Sequence, residues 1–105
     1  MLRINQVIFD VLVLLRPVIR CIEAHDRDLA RQLKDASSSI LLNSGEGSGS
    51  RAGTRRERYS NAFGSACEST NCLFAALGHG YIESIDPALL EKLDHVRAVF
   101  YKLTR

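Results

Sequence analysis

The sequence is short of the features that would announce a secreted, membrane-bound or polyanion-coating protein. Its three cysteines, Cys21, Cys67 and Cys72, are an odd number with no CxxC pair, which argues against a disulfide framework and for reduced thiols in a cytoplasmic setting. A membrane span is not expected, because residues 4–22 include Asp10, Arg16 and Arg20, and charge at membrane depth is costly. The same stretch fails as a signal peptide: Asp10 interrupts it, Arg16-Pro17 ends it, and no small-residue cleavage site follows. A strong excess of one charge is missing too. Fourteen cations against twelve anions leave a net charge of only +2, so overall electrostatics does not by itself require a nucleic-acid partner. Nothing reads as a β-strand, and there is no internal repeat.

What is present is apolar helical periodicity. At 46% apolar and 25% charged the chain is too hydrophobic for disorder, and 105 residues make one domain, 1–105, able to bury roughly 65% of its unfolded surface. Residues 4–24 form the first expected helix, with Ile4, Ile8, Val11, Leu15, Val18 and Ile22 at steps of 4 and 3, the seam of packed helices. Val7, Leu14 and Cys21 on one side and Leu12 and Ile19 on the other widen the apolar arc to roughly 160°, where one buried face needs about 100°. The excess fits either a deeply buried helix or one that also touches another subunit. Pro17 removes a ladder bond and is expected to kink it. Asp26 is the expected N-cap of a second helix, 27–46, whose seam runs Leu29, Leu33, Ala36, Ile40, Asn43. A third, 55–77, steps through Tyr59, Phe63, Ala66, Thr70, Leu73 and Leu77, with a second row of mostly small residues, Gly64, Glu68, Cys72 and Ala76. Asp86-Pro87 opens a fourth, 87–103, carrying Leu89, Leu93, Val96, Phe100 and Leu103. The expected fold is all-α: a left-handed up-down-up-down four-helix bundle, crossing at about +20°.

Between the second and third helices lies the polar segment Asn43–Glu68. Gly45, Gly47 and Gly49 are expected to stop the second helix, with Gly47 as a left-handed C-cap residue. Thr54-Arg55-Arg56-Glu57 has the pattern of a capping box at the start of the third. The glycine run is neither a dinucleotide fingerprint, since Ser50 takes the third glycine position and no strand precedes it, nor a P-loop, since no Gly-Lys-Ser/Thr follows. Metal ligation is not expected: Cys67 and Cys72 point to different helix faces, and Cys72 and His79 are about 10 Å apart along an axis, far beyond zinc's ligand distance of about 2 Å. Nor is a cofactor or nucleophilic catalysis, as His25, His79 and His95 fall at helix ends or polar faces. Glu46 and Glu68 would be an acid/base pair only if buried together. The simpler reading makes Asn43, Glu46, Ser65 and Glu68 a structural polar network fixing helix register. Arg51, Arg55, Arg56 and Arg58 stand against the single acid Glu57, and eleven of the fourteen cations are Arg, whose planar fork suits phosphate.

The stretch Ala36-Ser-Ser-Ser-Ile40-Leu-Leu-Asn43-Ser-Gly-Glu46-Gly47, with Arg51 and then Ala62-Phe-Gly64-Ser65-Ala-Cys-Glu68, resembles a family of four-helix-bundle proteins related to those encoded in intervening sequences of bacterial 23S rRNA genes. The same family includes the accessory variability protein of diversity-generating retroelements. The likeness extends from about Gln32 to Tyr81-Ile82. Ser44 and Gly45 depart from the family's usual apolar residue and alanine. The resemblance implies a four-helix bundle assembling as a pentameric ring, and in the retroelement relative a nucleic-acid-binding partner of a reverse transcriptase.

These readings combine into an expected non-enzymatic homo-oligomer, a pentamer, that binds RNA or DNA through Arg51, Arg55, Arg56 and Arg58. Its alternative is a protein-interaction scaffold without nucleic-acid binding, built on the first helix and the small row of the third.

Overall fold

Asp26 sets the first turn. Its backbone is extended, and its carboxylate accepts the Leu29 amide at 2.9 Å, satisfying a donor with no partner inside the helix. The computed structural model describes residues 3–49 and 51–105, which form four α-helices and no strand: α1 (Arg3–Glu23), α2 (Arg27–Ser48), α3 (Ala52–Gly78) and α4 (Pro87–Leu103). The fourth matches its expected range. Its cap is as read from the sequence: Asp86 accepts the Ala88 amide at 2.9 Å, with Pro87 at the first helical position, where its missing N–H costs nothing.

The helices lie together along a body of 42 × 24 × 22 Å, whose long dimension matches α3, about 40 Å for its 27 residues. Each packs on the next in sequence, and α4 returns to α1; α2 and α3 share the broadest contact. The core follows the expected seams except at the end of α4, where Leu103 is exposed in the last turn. Ile8, Val11, Leu15 and Ile22 of α1, Leu33 and Ile40 of α2, Leu73 of α3, and Leu89, Leu93, Val96 and Phe100 of α4 are fully buried. On α3 the rest of the buried face is small: Ala62, Ala66, Ser69, Thr70, Cys72 and Ala76. Ser69 and Thr70 donate back to the Ser65 and Ala66 carbonyls, so their hydroxyls enter the core satisfied.

The glycine segment departs from expectation. Gly47 is not a left-handed cap: it is buried within α2, which continues to Ser48, and Gly49 caps it at φ −99°. A Cβ at Gly47 would fall 2.5 Å from Tyr59 Cε1 and 2.7 Å from Cδ1. The missing side chain therefore serves close approach of α3 rather than a positive φ. Tyr59 in turn packs on the buried Phe100 ring, centroids 5.4 Å apart. The left-handed residue is Gly80, φ +78°. It closes α3 in a Schellman motif, the Tyr81 amide donating to Ala76 and the Gly80 amide to Leu77. Tyr81 is then stacked between the His25 and His79 imidazoles.

Two further corrections concern register. The Thr54–Glu57 capping box does not form, because α3 begins three residues earlier and Thr54 is already helical; Arg51 is the N-cap and makes no side-chain cap bond. Extending the helix gives the Arg55 amide a backbone partner at Arg51, a helical alternative to a cap that contributes about 1 kcal/mol. On α2 the seam passes from Ile40 to Ser44 and Gly47, leaving Asn43 half-buried beside it. A strict 3.5-residue repeat drifts about 20° per heptad against a straight helix, about 40° over the two heptads from Leu29 to Asn43, which turns Asn43 toward the edge of the buried face.

The glycine assignment is checked by urea unfolding. Gly47→Ala should lose about 1–3 kcal/mol, the range for overpacking a filled site, because Tyr59 is held by Phe100. Gly45→Ala, with nothing within 4 Å of its Cβ, should be neutral or gain up to about 1 kcal/mol from helix propensity.

Candidate nucleic-acid interface

The junction of α2 and α3 presents the arginines. Arg51 precedes α3, and Arg55, Arg56 and Arg58 occupy its first two turns, with no acidic side chain in the first turn. The positive end of the helix dipole lies here as well, so cations are held where the backbone disfavours them by a few tenths of a kcal/mol each. Arg51, Arg55 and Arg56 are exposed and Arg58 is half-buried. Arg58 is committed: its Nε lies 3.1 Å from Glu46 Oε2. Both side chains are about half exposed, 42% and 56%, which keeps the contribution of such a pair within about 1 kcal/mol. Its effect is to lower the positive charge of the cluster and to link α2 to α3.

The polar residues divide into two sets. Asn43 donates from Nδ2 to the Ser39 carbonyl and to Ser39 Oγ, both at 2.9 Å, and Ser65 Oγ donates to the same Ser39 Oγ at 2.9 Å. Asn43 and Ser65 thus meet at Ser39, which the sequence had not singled out. One step along, Ser44 donates to Asn5 and joins α2 to α1. Glu46 and Glu68 lie outside this network. Glu46 faces Arg58, whereas Glu68 lies ten residues further along α3, on the order of 15 Å by the helical rise. There it borders the α2/α3 groove with Gln32 and Gly64. The two carboxylates therefore do not form an acid/base pair.

Burial, and secondly the Glu68 charge, push the Cys72 thiol above its ordinary value. Cys21 is exposed and gives its thiol proton to the Tyr81 carbonyl, while Cys67 is half-buried. Among the described residues no group of three or more His, Cys, Asp or Glu side chains is placed to hold a metal ion, and no helix is long and apolar enough to cross a membrane. Comparison with family models, with curated proteins and with solved structures finds no match to this chain.

Two measurements check this geometry. Ser39→Ala should destabilise by about 1 kcal/mol, since the partly buried Ser65 hydroxyl loses its acceptor while Asn43 keeps the Ser39 carbonyl, whereas Glu46→Gln should change stability by no more than about 1 kcal/mol. In a thiol titration at neutral pH, Cys21 should react first. Cys72 should stay protected until the chain unfolds, since the raised pKa keeps it as the unreactive thiol.

Proposed function

We propose that this chain is a left-handed up-down-up-down four-helix bundle that assembles as a homo-oligomer, a pentamer on the family resemblance, and binds RNA or DNA without catalysing a reaction. The observation that carries the reading is the exposed group Arg51, Arg55 and Arg56 at the N-terminal end of α3. Guanidinium groups gathered at the positive end of a helix repel one another, and a phosphate backbone relieves both that repulsion and the dipole. Arg58 contributes less, because Glu46 pairs with it, and Arg51 and Arg56 carry most of the exposed charge. The pairwise packing of α1 on α2, α2 on α3, α3 on α4 and α4 on α1 supports the bundle topology. The absence of an apolar span among the described helices is in keeping with a cytoplasmic chain. Should the chain be encoded within a retroelement, the resemblance makes its partner a reverse transcriptase.

A second reading, a protein-interaction scaffold, is favoured by a different observation. Phe9, Leu42, Phe74 and Tyr101 are each large, apolar and 44–64% exposed, and a contact with a neighbouring subunit or another protein would cover those that share a face.

The readings separate in one titration. Labelled RNA and duplex DNA should bind more weakly as salt rises, with close to one unit of log-log slope for each phosphate neutralised. The Arg51→Ala/Arg55→Ala/Arg56→Ala triple variant should lower that slope by about 2–3 units. Light scattering should give a mass several times 11.7 kDa. An affinity unchanged in the triple variant removes the arginine surface, and a monomer removes the assembly.

A further inference from the structure

A second cationic site lies away from the α3 N-terminus, in the groove between α1 and α2. Its floor is Leu12 and Ile19, both half-buried, and its walls carry Arg16 and Arg20 from α1 and Lys34 from α2, with Ser37 and Ser38 at one side. The volume is about 390 Å³, inside the range of about 300–1,000 Å³ in which proteins hold small ligands on an apolar lining with a few polar groups. Glu23 is the one acid on the rim.

Three cations gathered over an apolar floor, with one acid on the rim, set this groove apart from an ordinary solvated face. Among the described residues, Arg16, Arg20 and Lys34 form no ion pair. Arg16 and Arg20 are one turn apart on the same face of α1, a spacing at which like charges destabilise a helix by a few tenths of a kcal/mol. Lys34 brings a third cation across the groove. Ser37 already gives its hydroxyl proton to the Lys34 carbonyl at 3.1 Å, so its oxygen accepts rather than donates, while the Ser38 hydroxyl has no protein partner among the described residues. Three uncompensated cations and an available hydroxyl around an apolar floor suit a ligand with one anionic end and one apolar end. A bare polyanion would leave Leu12 and Ile19 uncovered, and a neutral apolar molecule would leave the cations unanswered.

We propose that the α1/α2 groove binds a small anionic amphiphile, a carboxylate, phosphate or sulfonate head on an apolar body. The head lies between Arg16, Arg20 and Lys34 and accepts from Ser38 Oγ, and the body covers Leu12 and Ile19. This site is separate from the arginines of α3 and does not depend on nucleic-acid binding there.

The test uses the full chain and the fluorescent probe 8-anilinonaphthalene-1-sulfonate. The folded protein should bind it with enhanced emission, and decanoate or 1-naphthyl phosphate should displace it. Inorganic phosphate at the same concentration, lacking the apolar body, should not. Arg16→Gln/Arg20→Gln should weaken the probe about tenfold or more, as expected for loss of charge-assisted contacts, with unchanged helicity since both positions are exposed. Lys34→Gln should weaken it independently, and Arg51→Ala/Arg55→Ala should leave it unaltered. Probe affinity unchanged from wild type in the Arg16→Gln/Arg20→Gln and Lys34→Gln variants would overturn the proposal. So would displacement by inorganic phosphate as effective as by decanoate, or displacement by a single-stranded RNA, which would make the groove part of a polyanion surface.

Discussion

The position of α3 against α2 depends on one missing side chain. Gly47 sits within α2, where glycine costs about 1 kcal/mol of helix propensity relative to alanine. In return Tyr59 can lie directly on the α2 backbone, closer than any Cβ would permit, and its other side reaches Phe100 in the core. Tyr59 stands one residue beyond Arg58 and four beyond Arg55. Fixing its ring against Gly47 fixes the rotation of the first turns of α3, and hence the direction in which the arginines are presented.

The polar groups deeper along the same interface complete that arrangement. Ser39 receives Asn43 from its own helix and Ser65 from α3; the second bond penalises sliding of one helix past the other because the partly buried Ser65 donor would be left without an acceptor. Ser44 and Asn5 do the same between α2 and α1. Glu46 belongs to the surface instead, where it tempers Arg58. The result is a gradient along the α2/α3 contact, from aliphatic and alanine packing, through hydroxyls and an amide, to exposed guanidinium groups at the end.

Much of the helical framework was legible because it rests on local rules. The 3- and 4-residue steps of α1 and α4 depend on helix geometry alone, and the Asp26 and Asp86 caps act within three residues of themselves. The polar junction was less legible because each residue there has two uses that only tertiary contact separates. A glycine near a helix end serves a left-handed cap or a close approach, and Gly80 took the first role while Gly47 took the second. Thr54 carried a valid cap pattern but was outcompeted by a longer helix. Asn43 and Ser44 are neighbours on the seam, and the drift of a straight helix decided between them. Ser39 was invisible as a hub, since a serine within a helix can equally bond its own backbone. The cations of the α1/α2 groove are separated by up to 18 residues and become neighbours only when two helices pack.

The proposal that the α3 N-terminus meets nucleic acid is tested most directly by photo-crosslinking. RNA carrying 4-thiouridine, irradiated with the full chain and digested for mass spectrometry, should attach to peptides spanning residues 51–60. Attachment confined to α1, α4 or the α1/α2 groove, with residues 51–60 unlabelled, would contradict it.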